Sequence, residues 1–123
     1  MSIFTQVQDI IAEVLEIEPE EITMESYVMR DLPTESIDLM EYGVGFASKC
    51  GVPIHDDIIF LQSLRMHIAE AEEKGLDTIE HISGIYPHLS SERLSAMFDT
   101  IEDGPVLQVR DIVAYIQHAN SML

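Results

Sequence analysis

An all-α fold is predicted by three features of the 123-residue sequence: apolar residues recur at three-and-four spacing in separate runs, no run alternates over a strand length, and Gly or Pro closes the runs. Apolar residues make up 46% of the chain, an ordinary share for a globular protein, so its strong charge is not a sign of disorder. The length suits one domain spanning 1–123.

Ile3, Val7, Ile10, Ile11, Val14 and Leu15 form the apolar stripe of a first helix, with Gln6, Gln8, Asp9, Glu13 and Glu16 between them. Pro19 marks its exit. The segment through Asp31 reads as a long ordered loop pinned by Ile22, Tyr27 and Val28. A second helix starts near Ser36, with Thr34 as N-cap and Glu35 and Asp38 near the positive end of the helix dipole. Ile37, Met40, Val44 and Ala47 make one of its rows; Leu39, Tyr42 and Phe46 contribute to another. Both rows cannot be exposed, so this helix is expected to be central. Gly43 and Gly45 inside it each cost about 1 kcal/mol relative to Ala, which marks a close approach of another backbone or a cavity.

After Gly51 and Pro53 a third, long helix is expected from Asp56-Asp57 onward through Leu61, Leu64, Ile68 and Ala71, closing at Gly75. Leu76, Ile79, Ile82 and Ile85 predict a shorter helix ending before Gly84 and Pro87. Ser90 or Ser91 caps the next, which buries Leu94, Met97, Phe98 and Ile101 and stops at Asp103-Gly104-Pro105. Val109, Ile112, Val113 and Ile116 line the last helix, which frays at Asn120-Ser121.

Twenty-three acids against six Lys and Arg leave a net charge of -17. Such a field repels phosphate backbones and anionic lipid, which excludes nucleic-acid binding and a polybasic membrane anchor and points to basic protein partners. The longest run of large apolar residues, Ile58-Ile59-Phe60-Leu61, is far short of a membrane span, and the amino end lacks a basic signal-peptide front. The expectation is a soluble cytoplasmic monomer. The single cysteine, Cys50, makes no internal disulfide and is read as a small buried hydrophobe. His55, His67, His81, His88 and His118 show no metal-ligand spacing and are assigned surface or capping roles; no metal site is expected. Met24, Met29, Met40, Met66 and Met97 are assigned to core packing.

The informative stretch is Asp31-Leu32-Pro33-Thr34-Glu35-Ser36-Ile37-Asp38-Leu39-Met40-Glu41, continuing to Cys50-Gly51-Val52-Pro53-Ile54-His55-Asp56-Asp57. It resembles the acyl carrier protein family, whose Asp-Ser-Leu core opens the second helix and whose aromatic-Gly-Ile-x-Ile-Pro-Asp-Glu stretch follows it. Ile10-Ile11-Ala12-Glu13-Val14-Leu15 and Glu20-Glu21-Ile22 are similar to the family's opening, and Val109-Arg110-Asp111-Ile112-Val113-Ala114-Tyr115-Ile116 to its closing helix. Pro33 stands where the family has Gly, so the turn into the helix must differ. Ala47, Ser48 and Lys49 replace acids, which shortens the negative strip.

The resemblance implies a four-helix bundle, here with additional helices inserted at about 61–104, before the last helix. It also implies a non-catalytic carrier with 4'-phosphopantetheine from coenzyme A on Ser36, presenting thioester-linked acyl groups in a specialised lipid or polyketide-type pathway. A phosphopantetheinyl transferase, using Mg²⁺ against the coenzyme A pyrophosphate, would activate the Ser36 hydroxyl in trans, so no local base is needed. The other implied partners are acyl-transferring or acyl-activating enzymes with basic docking surfaces. Glu35, Asp38 and Glu41 would meet their cations, and Ile37 and Val44 would supply apolar contact. Two alternatives stay open: an acidic helical interaction module without the group, and an aminoacyl carrier.

Residues 61–104 carry nine acids and three bases, net -6, beside net -11 in residues 1–60. Their amphipathic patterning predicts a segment packed on the carrier body, and its place between helices that frame the mouth of the acyl cavity in the family implies a lid or a docking surface for a dedicated partner.

Overall fold

A computed structural model describes residues 1–123, and its seven α-helices with no strand meet the all-α expectation. They are α1 (Ile3–Leu15), α2 (Ser36–Cys50), α3 (Asp56–Ile59), α4 (Leu64–Glu73), α5 (Thr78–Ile85), α6 (Ser91–Thr100) and α7 (Val109–Ser121). Short 3-10 turns occupy Pro19–Glu21 and Ile101–Asp103. Helices α1, α2 and α7 enclose the centre, where Val7, Ile11, Tyr42, Phe46, Ile112 and Ile116 have no more than trace exposure. The apolar cluster runs without a break from there into the inserted segment through Phe60, Leu64, Ile82, Tyr86, Leu94 and Met97. Residues 61–104 therefore pack against the rest of the chain, as their patterning predicts.

The long loop after α1 is ordered because the first turn of α7 needs partners for its N–H groups. Val109 and Arg110 donate backbone N–H to the carbonyls of Ser26 and Met24, and Val28 donates to Leu107. Gln108 closes the join, its side chain donating to the Glu25 carbonyl at 2.9 Å. From the other side the Gln8 side chain donates to the Pro19 and Ile22 carbonyls. Ile22 and Val28 are buried and Tyr27 is half-buried, as the sequence indicated.

The single long third helix does not form. Leu61 takes a left-handed conformation at φ 56° and separates α3 from α4, while the Ser63 hydroxyl donates to the Asp57 carboxylate across the break at 2.8 Å. Reversing the chain there sends Phe60, Leu61 and Leu64 into the core, a gain that outweighs helix continuity. Helix α5 runs through Gly84 to Ile85 rather than stopping before it. Ser90, not Ser91, caps α6, accepting the Arg93 N–H at 3.0 Å.

One ion pair joins insert and body. The Arg93 guanidinium in α6 grips the Asp111 carboxylate in α7 through Nε and Nη2 at 2.8 and 2.9 Å, and Nη2 also donates to the Val106 carbonyl. Asp111 in turn accepts the backbone N–H of Gln108 at 2.8 Å, so one buried carboxylate both caps α7 and anchors α6.

His55 is exposed and His118 lies in the last turn of α7, as their assigned surface and capping roles require, but the other three histidines depart from those roles. His67, His81 and His88 are half-buried, and rings stack edge-on in the order His67, Tyr86, His88, Tyr115. The Tyr115 hydroxyl accepts the His55 N–H, which ties the segment after α2 to α7. Among the methionines, Met97 is buried and Met24 and Met29 half-buried, but Met40 and Met66 face solvent. Cys50 is half-buried, its thiol held above its ordinary value by burial and directed at the Gln6 side chain.

Candidate functional site

The site is built on the start of α2. Leu32, Pro33 and Thr34 form a tight three-residue turn in which the Thr34 N–H donates to the Leu32 carbonyl at 2.8 Å. Proline's fixed φ suits the centre of such a turn, which is how the chain dispenses with a glycine there. Thr34 is not the N-cap. Its hydroxyl is hydrogen-bonded to the Tyr42 hydroxyl at 2.9 Å, eight residues further on. Burial pushes the Tyr42 hydroxyl up to about 12, with Asp38 and Glu41 adding to the shift and the Thr34 bond opposing it. Glu35 is the N-cap, in extended conformation, and its backbone N–H is taken by the Asp38 carboxylate at 2.7 Å. The side chain three residues into the helix thus satisfies the N–H just outside it.

Ser36 is the first residue of α2 and exposed. Its neighbours on both sides are fixed by the Thr34–Tyr42 and Glu35–Asp38 bonds, which leave the serine hydroxyl facing water at the positive end of a fifteen-residue helix. Of the three acids proposed for docking, Glu35 and Glu41 are exposed, whereas Asp38 is half-buried and already engaged as a capping group.

Helix α2 does not bury both of its apolar rows. Leu39, Tyr42, Gly43 and Phe46 face the core, while Ile37, Met40 and Val44 are 63%, 64% and 72% exposed. Leaving three large apolar side chains in water on one face, one turn apart, costs solubility without any return to folding. Both glycines mark close packing, and Gly45 also lines a groove: a Cβ on Gly43 would lie 2.7 Å from Asp56 Oδ1, and one on Gly45 would lie 2.8 Å from Ile10 Cγ2. What approaches in each case is a side chain and not a backbone.

Beside this row runs a groove of ≈ 590 Å³ between α1 and α2, with Ile10 and Val14 on one wall and Ile37, Met40 and Val44 on the other. Glu13, Glu41 and Lys49 stand at its rim, and no residue of 61–104 lines it. In the sequence Ile10 and Val14 read as the α1 stripe, Glu13 as a polar position between them and Lys49 as a replaced acid, none of them as a site residue. No local signal marks them as a site, because the groove arises only from the packing of α1 against α2. No cluster of three or more His, Cys, Asp or Glu is placed to hold a metal ion, and no helix is long and apolar enough to cross a membrane.

Comparison with known proteins yields acyl carrier proteins among its matches. The chain is 36% identical over 56 residues to the acyl carrier protein of Campylobacter curvus (strain 525.92), which covers 46% of this chain and 73% of that protein. It is 34% identical to the acyl carrier protein of Campylobacter fetus subsp. fetus over the same shares. With that of Lactobacillus acidophilus it shares 36% identity over 55 residues, 45% of this chain and 69% of the relative. No protein-family profile matches the chain. No solved structure matches it either. Its all-α architecture and these relatives agree: the chain belongs to the acyl carrier protein family, a family of carriers and not of enzymes.

Proposed function

We propose that residues 1–123 form one carrier domain, with 61–104 inserted, that bears 4'-phosphopantetheine on Ser36 and presents thioester-linked acyl groups to enzymes of a specialised lipid or polyketide-type pathway. The observation that carries this reading is the exposure of Ser36 at the first position of α2, between neighbours locked by hydrogen bonds. The residues present fit the group. An attached phosphodiester would sit against the positive end of α2, where an anion is tolerated, at an exposed position.

In the attachment step the Ser36 oxygen bonds to the β-phosphorus of coenzyme A and the bond from that phosphorus to the pyrophosphate bridge breaks. The hydroxyl proton passes to a base of the transferase, and 3',5'-ADP leaves. When bound, the group supplies a thiol on a long flexible arm. This chain's own residues do the rest: Glu35 and Asp38 set the start of the helix, Tyr42 holds Thr34 in place, and Glu41 with Glu35 offers negative charge to basic partners. Ile37, Met40 and Val44 supply apolar area for the transferase and for acyl-transferring or acyl-activating enzymes. Charge speeds the encounter, and the apolar row slows release.

Incubation with coenzyme A, Mg²⁺ and a phosphopantetheinyl transferase, followed by intact-mass measurement, tests the reading. One phosphopantetheine is expected on the natural chain and none on Ser36→Ala. Equal masses before and after, across several transferases, would leave an acidic helical module without the group as the better account.

A further inference from the structure

The acids of α2 and the exposed row beside Ser36 belong to the reading above, but the groove they border also has a wall from α1 that this reading does not use. Ile10 is nearly fully buried and forms the floor together with Gly45, against which its side chain packs. Gly45 carries no side chain that would fill the channel, and the close approach of Ile10 Cγ2 explains why none is accommodated. Val14 is half-buried on the α1 side, and Met40 and Val44 rise on the α2 side. The channel is therefore apolar at its base and open along its length.

Its rim is charged in a definite order. Glu41 stands on the α2 side and Glu13 on the α1 side, both exposed. Lys49 closes the far end and reaches Glu13 at 3.4 Å, with both side chains more than half exposed, so the pair is a solvated contact that a stronger partner can replace. A surface with an apolar floor and carboxylates on opposite banks fits an amphipathic helix whose apolar row enters the channel and whose Lys or Arg residues flank it. The chain's net charge of -17 favours approach of such a helix over an acidic or neutral one.

We propose that the α1–α2 groove, and not α2 alone, is the docking surface of this protein's partner enzymes, and that its occupant is a basic amphipathic helix contacting Ile10, Glu13 and Val14 as well as Met40, Glu41 and Val44. The proposal rests on the carrier reading only for the identity of the partners; the groove binds its occupant whether or not Ser36 is modified.

The test uses the ¹⁵N-labelled full chain and a synthetic leucine–lysine peptide that forms an amphipathic helix, beside a peptide of the same composition in scrambled order. The ordered peptide is expected to shift the amides of Val14, Val44 and Gly45. Glu13→Lys should weaken it about fivefold and Val44→Glu about tenfold or more. Glu20→Lys makes the same change of charge at an exposed site outside the groove and should have a far smaller effect. Ser36→Ala should bind as the natural chain does, which separates this outcome from the failure of pantetheine attachment. Shifts confined to α2 with Glu13→Lys no weaker than Glu20→Lys, equal shifts from both peptides, or no binding at about 1 mM peptide would each overturn the proposal.

Discussion

Single side chains carry two kinds of information here, and only one of them is written in local sequence. Ser36, Glu35 and Asp38 were legible because a helix start is set by neighbours three residues apart. The capping role was misplaced by one residue, since the Thr34 hydroxyl has a better partner in Tyr42, eight residues away. His88 was not legible at all. Its ring lies between Tyr86 and Tyr115, contributed by distant parts of the chain. Burial lowers its pKa from the ordinary 6.5 to about 4, with Asp111 opposing the shift and His118 adding to it. Because the folded value is the lower one, the unfolded chain binds more protons between those two pH values. The contribution of neutral His88 to stability is thus intact above 6.5 and drains as pH falls toward 4. Urea unfolding of the natural chain and of His88→Gln at pH 7 and pH 4.5 should show the larger loss in the natural chain. Equal losses, or an imidazole titrating at 6.5 by NMR, would contradict this.

At the level of helices, periodicity located every run except the one that breaks. The span from Asp56 to Glu73 has uninterrupted helical spacing, and what divides it is a long-range demand to bury Phe60, Leu61 and Leu64. The two glycines of α2 were flagged by their cost, but only the packing distinguishes them. Gly43 faces the mobile end of the Asp56 side chain, so Gly43→Ala should be neutral or stabilise by up to about 1 kcal/mol through helix propensity. Gly45 faces a β-branched side chain in the core, so Gly45→Ala should destabilise by about 1 kcal/mol after the same gain. Denaturant midpoints of the two variants should therefore move in opposite directions or differ clearly. The Arg93–Asp111 pair was also invisible, because nothing in the sequence links α6 to α7. Arg93→Ala strands a carboxylate that is 1% exposed, and should cost about 3–5 kcal/mol in the same measurement. A loss below 1 kcal/mol would mean that water replaces the guanidinium.

The whole molecule is dominated by its charge and by the way the insert enters its core. Fold class follows from patterning, since each apolar stripe demands a partner, and the placement of extra helices before the last one follows from the resemblance to the carrier family. The relation of the insert to Ser36 does not follow, because it depends on how the helices are arranged in space. Residues 61–104 contribute to the core and nothing to the groove beside the serine. With a net charge of -17 on a body of 123 residues, carboxylate repulsion works against compactness. The melting temperature should rise from low to moderate ionic strength, and further with divalent cations; a flat response would show that the acids are too widely spaced to repel.

The claim on which the functional account depends is that a solvent-facing hydroxyl at the head of α2 is the point of attachment. Peptide mapping by tandem mass spectrometry, after incubation of the folded chain with coenzyme A and a transferase, addresses it at the level of the atom. The predicted result is a single phosphopantetheine on the peptide containing Ser36, with Ser48, Ser90 and Ser91 unmodified although they too are exposed. Attachment at any other serine, or at none, would contradict the account.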